Sequence, residues 1–172
     1  MVERLTNDVT GEARFGHEFR YHLAAGFTSP DDTVLDAACG VGYGAAILAP
    51  WESGAQYFGV DVEPVTSHHP RHRFIQADLQ TWVPITPFDV GVSFETIEHL
   101  PDYQPLVATL KLACRWIIAS VPTVQTTHTN PFHLHDFVPG DLAQLFADDD
   151  WELYQTVSQP SEVAEISVFK RR

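Results

Sequence analysis

Apolar residues along the chain cluster in short runs that alternate with segments of helical spacing. Five runs have the length and apolar content of buried strands. The first begins at Val34, and the other four cover 56–61, 73–77, 88–94 and 116–121. Helices are predicted at four places, namely 13–25, 45–49, the stretch through Leu106 and Leu110, and 140–146. Two alternating segments, 151–157 and 163–170, are joined by a polar stretch and predict a β-hairpin.

This order of elements predicts a single α/β domain. Five strands that alternate with helices favour a mostly parallel, Rossmann-like sheet, and the last pair adds a C-terminal antiparallel hairpin. We expect residues 1–12 to form a flexible N-terminus and residues 13–172 to form the domain. A length of 172 residues fits one domain of this kind.

A glycine-rich stretch follows the first predicted strand. Gly40, Gly42 and Gly44 precede a helix, where backbone N–H groups approach a nucleotide ligand, and their spacing fits the dinucleotide pattern G-x-G-x-x-G/A. Asp36 lies just before these glycines, where its carboxylate would repel a pyrophosphate and attract the cationic amino-acid part of S-adenosyl-L-methionine (SAM). The stretch therefore favours SAM over NAD.

Asp61 ends the second predicted strand. A carboxylate at the tip of this strand accepts hydrogen bonds from the ribose hydroxyls of an adenosine. Proteins that bind NAD use the same feature, so Asp61 indicates an adenosine without choosing between the two cofactors.

The stretch VLDAACGVGYGA resembles the first motif of the class I SAM-dependent methyltransferases, and further segments follow in that family's order. The resemblance implies a class I methyltransferase fold that uses SAM. It assigns the methionine part of SAM to Asp36, Gly40 and Gly42, and the ribose to Asp61. It assigns the adenine to Asp78 with Leu79. The remaining expected cofactor contacts are Ala38, Val62 and Phe94.

Two segments around this motif are read through the same resemblance. Residues 17–21 resemble a segment that covers the cofactor in methyltransferases of small molecules, and a plain amphipathic helix explains them equally well. A helix normally lies between the second and third strands, but Pro64 and Pro70 predict that it is shortened or lost. We interpret the three histidines of that connection as part of a solvated loop rather than a metal site.

The composition narrows the classes of function. The net charge is −13 and only 10 residues are Lys or Arg, which argues against a nucleic-acid partner. The two cysteines give no disulfide framework, so we expect a reducing, cytoplasmic location. No apolar run reaches the ~20 residues of a membrane span, and the first residues do not resemble a signal peptide.

The fourth predicted strand ends in a group of ionisable residues. Glu95, Glu98 and His99 lie within SFETIEHL, at the edge where open α/β sheets bind ligands. This stretch resembles the fourth-strand motif of SAM methyltransferases in sugar and cell-surface glycan pathways, in which a later segment resembles 130–137. The resemblance implies O-methylation of a hydroxyl on a sugar or other small molecule. For the base we predict His133 first and His99 second, with Glu95 and Glu98 orienting them or the acceptor.

Two other functions stay open. Small-RNA 3′-terminal 2′-O-methyltransferases carry a Glu-x-x-Glu-His motif and a distal histidine that hold a divalent metal, and Glu95, Glu98, His99 and His133 match this set. We expect no metal, because contacts with the following turn explain these residues too, and the acidic composition disfavours RNA. The chain also suits a non-catalytic SAM-binding module, a homodimer or one subunit of a larger assembly.

Overall fold

The computed structural model describes residues 10–66, 69–159 and 163–172. Within these ranges the strands are β1 (Thr33–Ala37), β2 (Gln56–Asp61), β3 (His72–Gln76), β4 (Phe88–Phe94), β5 (Cys114–Pro122), β6 (Trp151–Gln159) and β7 (Ala164–Arg171). The helices are α1 (Glu12–Ala25), α2 (Ala45–Leu48), α3 (Gln104–Ala113), α4 (Asp141–Phe146) and one 3-10 helix (Ile97–His99). Of the predicted flexible N-terminus, residues 1–9 lie outside the described ranges, and Glu12 already belongs to α1.

The strands form one sheet in the order β3-β2-β1-β4-β5-β7-β6. The first five strands of this row are parallel, whereas β7 is antiparallel to β5 and to β6. The predicted α/β fold with a mostly parallel sheet and an antiparallel hairpin is therefore confirmed. The hairpin pairs with the sheet through its second strand, so β7 is internal and β6 is an edge.

The chain changes direction across the sheet between β3 and β4. After β3 it returns to place β4 on the other side of β1. The loops that follow β1 and β4 therefore lead to opposite sides of the sheet and leave a crevice between them. Ligands of open α/β sheets bind at such a switch point, outside the carboxyl ends of the strands.

Each face of the sheet is covered by its own apolar core. Tyr21 of α1 and Leu48 of α2 pack on one face, together with Tyr57 of β2. Leu110 of α3 and Phe146 of α4 pack on the other face. Because both faces are covered, β1, β2, β4 and β5 are largely buried and form apolar runs in the sequence, whereas the edge strand β3 has no fully buried residue.

The connection from β2 to β3 has no helix in its described residues, as the prolines predicted. The ring of Phe74 in β3 packs against Gly42 and Gly59, since a Cβ added to either glycine would lie under 3.0 Å from it. The His69 and His72 rings stack with centroids 3.9 Å apart and belong to no metal-binding group among the described residues; His68 lies outside them.

Three further observations concern the molecule as a whole. Cys39 and Cys114 are buried and are not joined in a disulfide. In the described ranges, none of the helices has the length and apolar character needed to cross a bilayer. Of the predicted hairpin connection 158–162, residues 158 and 159 belong to β6, and residues 160–162 lie outside the described ranges.

Candidate active site

A cavity of about 340 Å³ opens at the carboxyl edge of the parallel strands. The loops after β1, β2, β3 and β4 form its walls, α1 covers one side, and the segment between β5 and α4 contributes one residue. Its lining comprises His17, Tyr21, Ala38, Cys39, Gly40, Tyr43, Asp61, Val62, Asp78, Leu79, Phe94, Glu95, Thr96, Glu98, His99, Leu100 and His133.

The loop after β1 is shaped by positive backbone angles. Gly40 and Gly42 have φ of 58° and 82°, a region that favours glycine. Ala38 also has a positive φ, 70°, and its N–H donates to the Val60 carbonyl at 2.9 Å. Gly40 and Ala38 line the cavity, whereas Gly42 lies against Phe74 and does not.

Asp61 joins this loop to the end of β2. Its Oδ2 accepts a hydrogen bond from the Gly40 N–H at 2.8 Å, and its Oδ1 accepts one from the Glu63 N–H at 3.0 Å. The carboxylate is therefore fixed at the cavity wall, which is the position predicted for a ribose partner. Val62, Asp78 and Leu79 line the same end, so the sequence-predicted ribose and adenine contacts come together.

Asp36 is placed differently from the sequence interpretation. It is fully buried and does not line the cavity, and its Oδ2 accepts hydrogen bonds from the hydroxyls of Tyr57 at 2.5 Å and Tyr21 at 3.0 Å. Burial raises the pKa of Asp36 to about 7, although the two tyrosine hydrogen bonds act in the opposite direction. Tyr21 lines the cavity and lies between the cavity and Asp36.

Helix α1 closes one side of the cavity with His17 and Tyr21. The Tyr21 ring meets the rings of Tyr43 and Phe94 edge-on, with centroids 5.2 and 5.0 Å apart. Burial, followed by the charge of Arg20, lowers the pKa of His17 to about 4, so its imidazole is neutral near pH 7. The segment that resembled a cofactor cover therefore does lie over the cavity.

Glu95 follows β4 with a positive φ of 47°. Its N–H lies 3.2 Å from the carbonyl oxygen and from the Oγ of Ser120, and the Ser120 hydroxyl donates to Glu95 Oε1 at 2.7 Å. The buried guanidinium of Arg20 lies 3.5 Å from the same Oε1. A strained residue held by this many contacts is typical of a functional site.

Glu98, His99 and His133 form a cluster at the β4 end of the cavity. One ligand atom from each lies within 4.8 Å of those of the other two, and the two imidazoles meet edge-on at 4.6 Å. Nδ1 of His99 lies 3.0 Å from the Phe132 carbonyl oxygen, which only accepts, so Nδ1 carries the proton of the neutral ring. Glu95 is not part of this cluster, and only three of the four predicted metal candidates come together.

The segment 123–139 carries His133 to the cavity and is held by specific contacts. Asp136 accepts hydrogen bonds from the N–H groups of Thr126 and Thr127 at 2.7 and 3.0 Å. His133 Nδ1 lies 2.6 Å from the Thr126 hydroxyl, and the Leu134 N–H donates to the Glu98 carbonyl at 2.7 Å. This long polar segment is thus ordered around the residues expected to be functional.

Several residues of the site were not singled out in the sequence. Tyr21 and Tyr57 bind Asp36, and Arg20 binds Glu95, across separations of 15, 21 and 75 positions along the chain. Tyr21 and Arg20 lie in the segment that resembled a cofactor cover, which was the one available signal. The partnership of Tyr57 with Asp36 depends on strand register alone.

Comparison with known proteins decides the family of this site. A family model described as a methyltransferase domain matches residues 14–162. A probable SAM-dependent methyltransferase of Mycolicibacterium smegmatis is 30% identical in an alignment of 156 positions that covers 82% of this chain. The chain belongs to the class I SAM-dependent methyltransferases. It spans 60% of the length of that relative.

Solved methyltransferases share the fold at low sequence identity. The N-methyltransferase NodS from Bradyrhizobium japonicum, solved with S-adenosyl-L-homocysteine (SAH), has a TM-score of 0.70 and 15% identity over 96% of this chain and 89% of its own. A putative methyltransferase in complex with the Haloferax volcanii Trm112 activator has a TM-score of 0.72 and 13% identity over 93% of this chain and 94% of its own. For this methyltransferase the family, the fold and the SAM cofactor expected from the sequence are confirmed.

Proposed function

We propose that this methyltransferase binds SAM in the cavity and transfers its methyl group to a hydroxyl of a sugar or another small molecule. The observation that carries the proposal is the joint lining of one cavity by two sets of residues. Asp61 and Asp78 lie at the β2–β3 end, and the cluster of Glu98, His99 and His133 lies at the β4 end.

The strand order supports the orientation of SAM in this cavity. Along the edge the strands follow as β3, β2, β1, β4. Adenine would lie by Asp78 and Leu79 at β3, and ribose by Asp61 at β2. The methionine part would lie by Ala38 and Gly40 at β1, and the methyl group would point toward β4. Asp36 supports this binding through Tyr21 rather than by direct contact.

The transfer is a single displacement. The acceptor oxygen attacks the methyl carbon, the bond from carbon to sulfur breaks, SAH leaves, and the hydroxyl proton passes to a base. His133 takes that proton, with His99 as the second candidate, because a neutral imidazole is suited to this role near pH 7. Glu98, whose carboxylate lies within 4.8 Å of both rings, stabilises the imidazolium that forms.

The test is a screen for SAM turnover over nucleotide sugars, glycans, small phenols, small carboxylic acids and short RNA. We expect a sugar or small hydroxyl compound to be methylated with or without EDTA. His133→Ala should abolish turnover while SAH binding persists. His128→Ala, an exposed histidine on the same segment, is the matched control and should retain turnover. Full activity in both His133→Ala and His99→Ala would contradict the assigned base.

The cluster also favours a second candidate function. Two imidazoles and one carboxylate within 4.8 Å of one another suit Mn²⁺ or Zn²⁺, and this is the set that the RNA 2′-O-methyltransferase motif requires apart from Glu95. Glu98, His99 and His133 would hold such a metal, which would activate the hydroxyl as a Lewis acid. Methylation of RNA 3′ ends that is lost in EDTA and restored by Mn²⁺ would replace the sugar assignment.

A partner subunit remains a separate hypothesis. The chain spans 60% of the length of the Mycolicibacterium smegmatis relative, and one structural neighbour was solved with an activator protein. A module that only binds SAM would give tight SAH binding and no turnover of any acceptor. Turnover by the isolated chain would instead show that the catalytic groups are complete.

A further inference from the structure

Arg20 is an unusual residue for its position in α1. It is fully buried, and it is absent from the lining of the cavity, so neither solvent nor a ligand reaches it. A buried guanidinium is expensive unless it is paired with an anion. Its Nη2 lies 3.5 Å from Oε1 of Glu95, which does line the cavity. Arg20 therefore acts from behind the cavity wall.

Ser120 of β5 supports the same carboxylate from another direction. Its hydroxyl donates to Glu95 Oε1 at 2.7 Å, while the Glu95 N–H lies 3.2 Å from the serine carbonyl and hydroxyl oxygens. The Arg20 guanidinium and the Ser120 hydroxyl both contact Oε1 of Glu95, so this oxygen is held in place while the side chain borders the cavity. The left-handed backbone of Glu95 turns the side chain out of the strand direction.

At the β4 end of the cavity, the negative and positive charges lie at different depths from the cavity. The Glu95 side chain is partly exposed on the wall, whereas Glu98 is fully buried and the cation that compensates Glu95 lies behind the wall. A ligand at this end therefore meets the Glu95 carboxylate before it meets the Arg20 guanidinium. Such a surface attracts hydrogen-bond donors and cations and repels anions.

We propose that Arg20 and Ser120 position the Glu95 carboxylate to bind a hydrogen-bond-donating group, neutral or positively charged, on the methyl acceptor. This inference rests on the proposed function and adds a substrate class to it. Acceptors with a hydroxyl or protonated amine beside the reacting atom fit, and carboxylate acceptors do not. Glu95 contacts the acceptor, whereas Arg20 is a positioning residue.

Sinefungin tests this without a known acceptor. In this SAM analogue an amine-bearing carbon replaces the methyl-bearing sulfur, so its protonated amine reaches toward the acceptor end. We expect the protein to bind sinefungin more tightly than SAH in calorimetry at pH 7.5. Glu95→Gln should weaken sinefungin binding about tenfold or more and leave SAH binding unchanged, since a charge-assisted hydrogen bond is lost.

Variants of the two supporting residues separate positioning from folding. Ser120→Ala and Arg20→Gln should each lower the ratio of sinefungin to SAH affinity by about threefold to tenfold, and Arg20→Lys should restore part of it. Glu152→Gln, which removes the same charge on the outer strand β6, is the control and should not change the ratio. Because the ratio is taken within each variant, a general loss of stability does not move it.

The outcomes distinguish this inference from the function on which it rests. SAH binding with a ratio that Glu95→Gln leaves unchanged would overturn the inference alone. Absence of SAH and SAM binding to the folded protein would overturn both. Turnover of a small carboxylic acid in preference to hydroxyl or amine compounds would also contradict the inference and leave the methyltransferase assignment in place.

Discussion

Asp61 links the loop after β1 to the end of β2 through both of its carboxylate oxygens. In the proposed complex it also accepts hydrogen bonds from the ribose hydroxyls. We expect Asp61→Ala to lower SAH affinity by about 100-fold or more, because two hydrogen bonds to a charged acceptor are lost and each contributes roughly 1.5–3 kcal/mol. Calorimetry measures this directly. Asp150→Ala, an exposed aspartate before β6, should bind SAH normally, and equal affinities in the two variants would contradict the ribose assignment.

Asp36 gives the protein a specific dependence of stability on pH. Burial raises its folded-state pKa from 3.8 to about 7, so the folded protein keeps a proton that the unfolded chain releases. The wild-type protein therefore loses stability as the pH rises from 4 to 7, and the loss is complete above that range. Asp36→Asn cannot ionise and should escape it. The unfolding free energy of Asp36→Asn minus that of wild type should therefore increase by roughly 3–4 kcal/mol from pH 4 to pH 8.

Urea denaturation of both proteins at several pH values provides the measurement. The folded-state pKa of His17 is lowered to about 4, and the effect of its titration on stability is the same in both proteins. It therefore cancels when the unfolding free energies of the two proteins are subtracted. Parallel stability curves for wild type and Asp36→Asn over the whole interval would show that Asp36 titrates normally in the folded protein.

At the level of elements, α1 packs closely against Gly44, the residue that precedes α2. A Cβ at Gly44 would lie only 2.1 Å from Cε1 of Tyr21, although the glycine has an ordinary helical φ of −60°. Gly44→Ala should therefore displace α1 and destabilise the protein by about 1–3 kcal/mol. In a Tyr21→Ala background the same change should cost almost nothing. Additive effects in this double-mutant cycle would contradict the contact.

The segment 123–139 is a second element whose order matters for function. Asp136 accepts three hydrogen bonds from Thr126 and Thr127, which lower the pKa of its carboxyl group. Asp136→Ala should release the segment and lower kcat about tenfold through misplacement of His133. SAH affinity should stay unchanged. Asp149→Ala, an exposed aspartate outside the segment, is the control with normal kcat expected.

Elements of this fold differ in how far the sequence determines them. The five parallel strands were predicted to within about two residues. Four of them are largely buried and form local apolar runs, whereas β3 was predicted although none of its residues is fully buried. Helix α3 was predicted from the stretch through Leu106 and Leu110, and the hairpin from two segments of alternating apolar and polar residues. The sequence did not predict that β7 lies between β5 and β6, since both hairpin strands alternate and only their packing selects the inner one.

The site shows the same limit at finer scale. Residues at strand ends were predicted to line the cavity because parallel strands present their carboxyl ends together, and Asp61, Asp78 and Glu98 do so. Asp36 was expected to meet the ligand directly, but its side chain points to Tyr21 and Tyr57. Neighbouring positions of a strand face opposite sides, and which side bears the cavity depends on where α1 packs.

For the whole molecule, SAM-type ligands should stabilise the fold as a unit, because the cavity joins α1 to four strand ends. At 100 times its Kd, SAH should add about 2.7 kcal/mol of stability. This corresponds to a rise in Tm of roughly 5–10 °C for a domain of this size. NAD at the same concentration should give no rise. A Tm raised by NAD and not by SAH would contradict the cofactor assignment.

The internal place of β7 sets the order in which the sheet is completed during synthesis. β5 ends at Pro122, and the strand that pairs with its outer edge begins only at Ala164. Although β6 is synthesised first, it has no neighbour to pair with until β7 has emerged. In the interval the apolar β5 is an open edge, the kind of surface on which nascent chains associate with one another. When synthesis pauses between β5 and β7, the nascent chain therefore exposes the unpaired edge of β5 to other chains.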